Sequence, residues 1–130
     1  MDFMEKYLRS DGRLGIILKL KIPPYGIATL QSFDDFDNIE KTEAMMLEVQ
    51  SNWNILWPKM LSLLRKAIVD YGLEINLKKE EFNMGISDME PDVYMGDRSD
   101  YFLSFTLSND APSWDYFIKA DVIVHFQPSF

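Results

Sequence analysis

The run Trp53–Gly72 is the densest apolar stretch of the chain and the feature that most constrains its fold. Trp53, Leu56, Trp57, Met60, Leu61, Leu64, Ala67, Ile68 and Tyr71 recur at spacings of three and four, so on a helix they share one face. Segments with strand-like alternation lie on both sides of the run, and each has an apolar face to bury. A single helical stripe between such segments predicts a helix on which a β-sheet packs. Pro58 decides where that helix begins. Inside a helix a proline removes one backbone bond and clashes with the carbonyl four residues back, at a cost of about 3 kcal/mol. In a first turn it costs little. The spacing therefore predicts a break between Ser51 and Pro58, a main helix over about 58–71, and Gly72 as its left-handed C-cap. Met45, Met46 and Val49 extend the same stripe backwards, so 40–50 reads as a shorter preceding helix, although a strand through Met45, Leu47 and Val49 also fits. Asp37 and Glu40 have the spacing of a capping box.

Before this region, Leu14, Ile16, Leu18, Leu20 and Ile22 alternate with Arg13, Gly15, Ile17, Lys19 and Lys21. Period two means a strand with one buried and one solvated, basic face. Pro23-Pro24-Tyr25-Gly26 ends it, and Ile27–Phe33 resumes as a second strand in an antiparallel hairpin. Residues 2–9 read as one or two helical turns and Ser10-Asp11-Gly12 as a turn. After Gly72, alternation predicts strands at Leu73–Leu77, Phe82–Ile86 and Tyr101–Leu107, with a weaker one at Val93–Met95. The longest alternation runs through Trp114, Tyr116, Ile118, Ala120, Val122, Val124 and Phe126. Its opposite face is Asp115, Phe117, Lys119, Asp121, Ile123, His125 and Gln127. The expected fold is one α+β domain over 1–130, a mainly antiparallel sheet of five to six strands with the helix on one face.

The 130 residues are long enough for one domain with a sizeable core. With 47% apolar and 26% charged residues the composition is that of a folded globular chain. There is no cysteine, hence no disulfide framework and no thiolate chemistry, which fits a reducing cytoplasm. No apolar run approaches the length of a membrane span, and the N-terminus does not read as a secretion signal. The net charge of −8 argues against nucleic-acid or anionic-membrane binding. It suits docking onto a basic protein. Residues 80–130 alone carry a net −8, against +2 for 1–22, −5 for 23–57 and +3 for 58–79.

Chemical motifs are few. His125 is the only histidine and no nucleophile elbow or glycine-rich phosphate loop occurs. Its place opposite the expected core face reads as an exposed structural histidine. The acidic clusters Asp34/Asp35/Asp37, Asp88/Glu90/Asp92 and Asp97/Asp100 lack the register of a calcium loop and read as solvated loops. No cofactor or metal is expected. Phe102, Phe117 and Ile123 fall opposite the expected core faces, where apolar groups can mark a partner surface. The candidate partner-binding residues are Asp97, Asp100, Asp115 and Asp121, with Phe102 and Phe117 as apolar anchors.

The order of β-hairpin, acidic connection (Phe33-Asp34-Asp35-Phe36-Asp37), Trp-containing helix ending Asp70-Tyr71-Gly72, and further strands resembles small acidic α+β domains of uncharacterised bacterial families. Some of those are immunity proteins of contact-dependent or polymorphic toxin systems. The resemblance implies a cytoplasmic, non-enzymatic domain that neutralises a toxin, often a basic nuclease, by covering its surface. It assigns no functional residues. Two other readings stand beside it: a small enzyme or ligand-binding domain with a pocket between sheet and helix, using His125 with a nearby carboxylate, and a homodimer joined through the open sheet face.

Overall fold

The computed structural model describes residues 4–8, 14–32, 39–87, 99–107 and 113–129. Seven strands form one sheet in chain order: β1 (Met4–Leu8), β2 (Leu14–Lys21), β3 (Ile27–Ser32), β4 (Phe82–Ser87), β5 (Tyr101–Leu107), β6 (Ser113–Lys119) and β7 (Val122–Ser129). All neighbours are antiparallel except β3 and β4, which are parallel. Parallel neighbours need a crossover, and α1 (Ile39–Asp70), the one α-helix among the described residues, supplies it. The protein is α+β, with its helix laid across one sheet face.

One expectation fails at the helix. There is no break between Ser51 and Pro58 and no separate shorter helix, because α1 runs through both expected helices as 32 residues with Pro58 inside. Pro58 and Asn54, whose carbonyl loses its amide partner, are both on exposed positions, where water can take the missing bond. The apolar stripe is buried on both sides of the proline, from Met45 and Met46 through Trp53, Leu56 and Trp57 to Met60, Leu64 and Ala67. A break at Pro58 would expose one half of it.

Polar bonds fix how the helix crosses the sheet. The indoles of Trp53 and Trp57 donate to the carbonyls of Lys21 (2.7 Å) and Pro23 (3.0 Å), at the end of the β2–β3 hairpin. The Tyr116 hydroxyl on β6 donates to the Met60 carbonyl at 2.9 Å, and the Asn52 amide reaches the Ala120 carbonyl beyond it at 3.4 Å. The two indoles stack on each other, with centroids 5.7 Å apart. The C-terminus closes as the sequence foretells. Gly72 takes φ 64°, its N–H meets the Val69 carbonyl at 3.1 Å, and the Leu73 N–H meets that of Ile68 at 3.0 Å. These are the two bonds of a Schellman motif.

The N-terminal stretch is a strand where helical turns were expected. Met4–Leu8 pairs with Leu14–Leu18, since a short helix has few bonds to offset nucleation whereas the edge of β2 offers a ready ladder. Leu73–Leu77 joins no sheet. It runs in irregular form to a 3₁₀ turn at Leu77–Lys79, capped by the Asn76 side chain accepting the Lys78 N–H at 3.1 Å. Such local bonding by Asn competes with a ladder. The long alternation from Trp114 is two strands, folded back at Ala120-Asp121. A β-bulge then shifts the register: Phe117 opposes His125 while Ile118 opposes Ile123, leaving Val124 as the extra residue. Ile123 thereby packs on the core and Val122 is 50% exposed, the reverse of the expected faces. With β1 and this division the described residues form a sheet of seven strands, where five to six were expected.

No helix among the described residues is long and apolar enough to cross a membrane. The expected turn at Ser10–Gly12, the Asp37 end of the capping box, the weak strand at Val93–Met95 and the candidate Asp97 lie outside the described residues.

Candidate functional site

Register, more than sequence spacing, determines which candidate residues meet. On the face turned away from α1, two cross-strand rows lie side by side. Ser87 pairs with Phe102, Phe102 with Phe117, and Phe117 with His125. One row over, Gly85 pairs with Ser104, Ser104 with Asp115, and Asp115 with Gln127. Directly opposed side chains in a sheet stand about 5 Å apart and interact in pairs. The rings of Phe102 and Phe117 stack at 5.5 Å, and the Phe117 and His125 rings lie at the same distance, tilted. His125 Nε2 sits 3.0 Å from Gln127 Oε1, which ties the two rows together on β7.

The centre of this face is closed to solvent. Phe117 is 0% exposed, Asp115 7%, and Ser87 and Ser104 are buried as well, while Phe102, His125 and Gln127 are half-buried. Burial pushes the Asp115 carboxyl above its ordinary value, opposed by a hydrogen bond from Ser104 that favours the ionised form. Two phenols in the core, Tyr101 and Tyr116, are also pushed up by burial, Tyr101 further by the charges of Glu48 and Asp100.

The remaining candidates sit elsewhere, at one end of the sheet. Asp100 is exposed, yet its carboxylate accepts the Ala120 N–H at 2.9 Å and its own N–H bonds the Ile118 carbonyl at 2.8 Å. It is the lock of the Ala120-Asp121 turn. Asp121 is half-buried in that turn. The six sequence candidates therefore divide three ways: Phe102, Asp115 and Phe117 on the far face, Asp100 and Asp121 at the turn, and Asp97 outside the described residues. The far-face group underlies a surface more than it forms one.

Strand directions show what surrounds the turn. Ser32 at the end of β3 lies beside Ile86 near the end of β4, and Ser87 pairs with Phe102 at the start of β5. Both strand ends thus point the same way as the Ala120-Asp121 turn. At this end the chain leaves Leu8 into a connection carrying Arg9, Asp11 and Arg13, and leaves Ser32 into one carrying Asp34, Asp35 and Asp37. It leaves Ser87 into one carrying Asp88, Glu90, Asp92, Asp97 and Arg98, while Lys119 precedes the turn, so the acidic residues outnumber the basic ones. Asp100 follows directly. The opposite end of the sheet carries Lys66, Lys78 and Lys79 together with Asp70, Glu74, Glu80 and Glu81, a mixed set.

Known proteins offer no guide to this arrangement. The chain matches no family model, and no curated protein or solved structure shows significant similarity to it. Among the described residues no three His, Asp or Glu side chains are grouped as metal ligands. Ser104 and Asp115 touch, but both are buried, so neither is presented to a substrate.

Proposed function

We propose that this chain is a non-enzymatic binding domain that docks a basic protein partner, in the manner of an immunity protein, with the acidic end of its sheet as the contact. The observation that carries the reading is topological. The ends of β3 and β4 and the β6–β7 turn stand at one end, so the chain enters the acidic segments 33–38 and 88–98 from the rim that carries Asp100 and Asp121. A concentration of like charge at one end steers a basic partner and raises its association rate. Phe102, half-buried at the start of β5 beside this rim, is the apolar group best placed to join the contact.

The experiment is capture of partners from the protein's own cells on the immobilised chain at roughly 0.05 M and 0.3 M salt, a range over which the screening length shortens about twofold or more. The expected result is retention of a basic protein at low salt and its loss at high salt. Asp121→Lys should weaken retention, whereas Glu74→Lys at the opposite end should not. Asp115 is unsuitable for charge reversal, because its burial would turn a binding test into a folding test. Capture indifferent to salt and to Asp121→Lys would remove the basis of the proposal.

A further inference from the structure

We propose that the groove where α1 ends against residues 73–78, at the sheet end opposite the Ala120-Asp121 turn, is a binding site for a small amphiphilic carboxylate. The groove has a volume of about 370 Å³. That lies at the small end of the range for ligand sites. At ~30 Å³ for each water-sized unit it holds about a dozen non-hydrogen atoms. Its floor is apolar. Leu77 is buried, Ile68 and Ile75 pack half-buried on the core, and Val69 stands on the rim at 77% exposure.

The charged side chains that line it, Arg65 and Lys78, are both cations, in a chain of net charge −8. Their placement is not that of two loose surface chains. Arg65 donates to the Tyr25 hydroxyl at 2.8 Å, and its guanidinium carbon lies 5.7 Å from the centroid of the same ring. One edge of the planar fork is thereby fixed, with further N–H groups left to grip a carboxylate. Holding the cation in place beforehand reduces the ordering cost of binding. Lys78 projects from the 3₁₀ turn whose backbone Asn76 pins.

A helix C-terminus ordinarily disfavours anions. Here the Schellman closure and the adjacent bond from Tyr71 occupy the carbonyls of Ala67, Ile68 and Val69. An apolar floor with a fixed guanidinium and a second cation at its edge fits a ligand with one carboxylate and a short apolar body. The same geometry disfavours a neutral or cationic amphiphile of equal size.

The test is titration of the isotope-labelled chain with decanoate, decanol and decyltrimethylammonium, each below its micelle threshold, with amide shifts followed by NMR. Decanoate should saturate and shift the amides of Ile68, Val69, Ile75 and Leu77. The other two probes should bind at least tenfold more weakly at those positions. Arg65→Gln with Lys78→Gln, both exposed positions whose folding is checked by circular dichroism, should weaken decanoate at least tenfold. Val69→Glu should do the same by placing an anion at the rim. The proposal is overturned if decanoate fails to shift those amides, if all three amphiphiles bind alike, or if the double variant keeps the parent affinity.

Discussion

Replacing Ala120 by glycine should stabilise the protein. Ala120 is the first residue of the two-residue turn between β6 and β7 and has φ 56°, a conformation that suits glycine. An L-residue with a Cβ is disfavoured there by about 1–2 kcal/mol. Glycine removes that strain but raises the conformational entropy of the unfolded chain, which offsets about 0.4–1 kcal/mol. The methyl group is exposed, so little burial is lost. The Ala120 N–H still meets Asp100 and its carbonyl still meets Asn52, since both bonds belong to the backbone. The net gain should be about 0.5–1 kcal/mol.

Urea unfolding reads this directly. With a slope of about 1–3 kcal/mol/M for a small domain, the midpoint should rise by roughly 0.3–0.5 M with the slope unchanged. A double-mutant cycle with Asp100→Ala adds the mechanism. If Asp100 holds the turn in its strained form, its removal lets Ala120 relax, and the gain from glycine should shrink in that background. A midpoint that stays put or falls in the single variant refutes the strain argument. Full additivity refutes the role given to Asp100.

Pro58→Ala should also stabilise, by about 1 kcal/mol, because it restores the Asn54 carbonyl's bond at an exposed site and relieves part of the ~3 kcal/mol interior penalty; a lower thermal midpoint would refute that account of the proline's cost. Tyr116→Phe removes the buried bond to the Met60 carbonyl and should cost about 1 kcal/mol in chemical unfolding, with the other helix contacts intact. For Asp115 the sign follows from its raised value. The folded state holds the proton more tightly than the unfolded chain, so the carboxyl's contribution is fully present below the ordinary value of 3.8 and is lost as pH rises through the raised one. Asp115→Asn should therefore match the parent in acid and exceed it increasingly towards neutrality. A stability difference independent of pH would sink that assignment.

Much of the fold is legible in the sequence because single-face burial writes itself into alternation. The strand at Leu14–Lys21 and the one at Tyr101–Leu107 are clear from period two alone, and Gly72 from the need for a left-handed cap. The failures have common causes. Residues 4–8 form a strand through pairing with β2, which no local pattern records. The alternation over 114–126 hides a turn because Ala120, the strained residue, is not a usual turn residue. Its length was the available signal, since strands seldom exceed about ten residues. The bulge at Val124 then inverts the faces that a straight reading assigns to Val122 and Ile123. The site was legible only in part for the same reason. Asp115 and Phe117 do lie on the face away from the helix, as their alternation requires, but their burial depends on the tertiary surroundings. The partnership of Ser104 with Asp115 exists only through register.

The helix shows how packing can outweigh a local rule. Proline's interior penalty is about 3 kcal/mol. Burying a large apolar side chain is worth about 1.5–3 kcal/mol. Trp53, Leu56 and Trp57 before Pro58 and Met60, Leu61 and Leu64 after it are all buried against the same sheet. A break would force one group to leave the core or to repack, at a cost greater than the bond that proline removes. The tertiary bonds reinforce this, because Trp53 and Trp57 tie the helix to the β2–β3 hairpin while Asn52 and Met60 tie it to the β6–β7 hairpin. One continuous rod thus straps the two halves of the sheet. It places Arg65, Ile68 and Val69 in the groove at the end away from the Ala120-Asp121 turn.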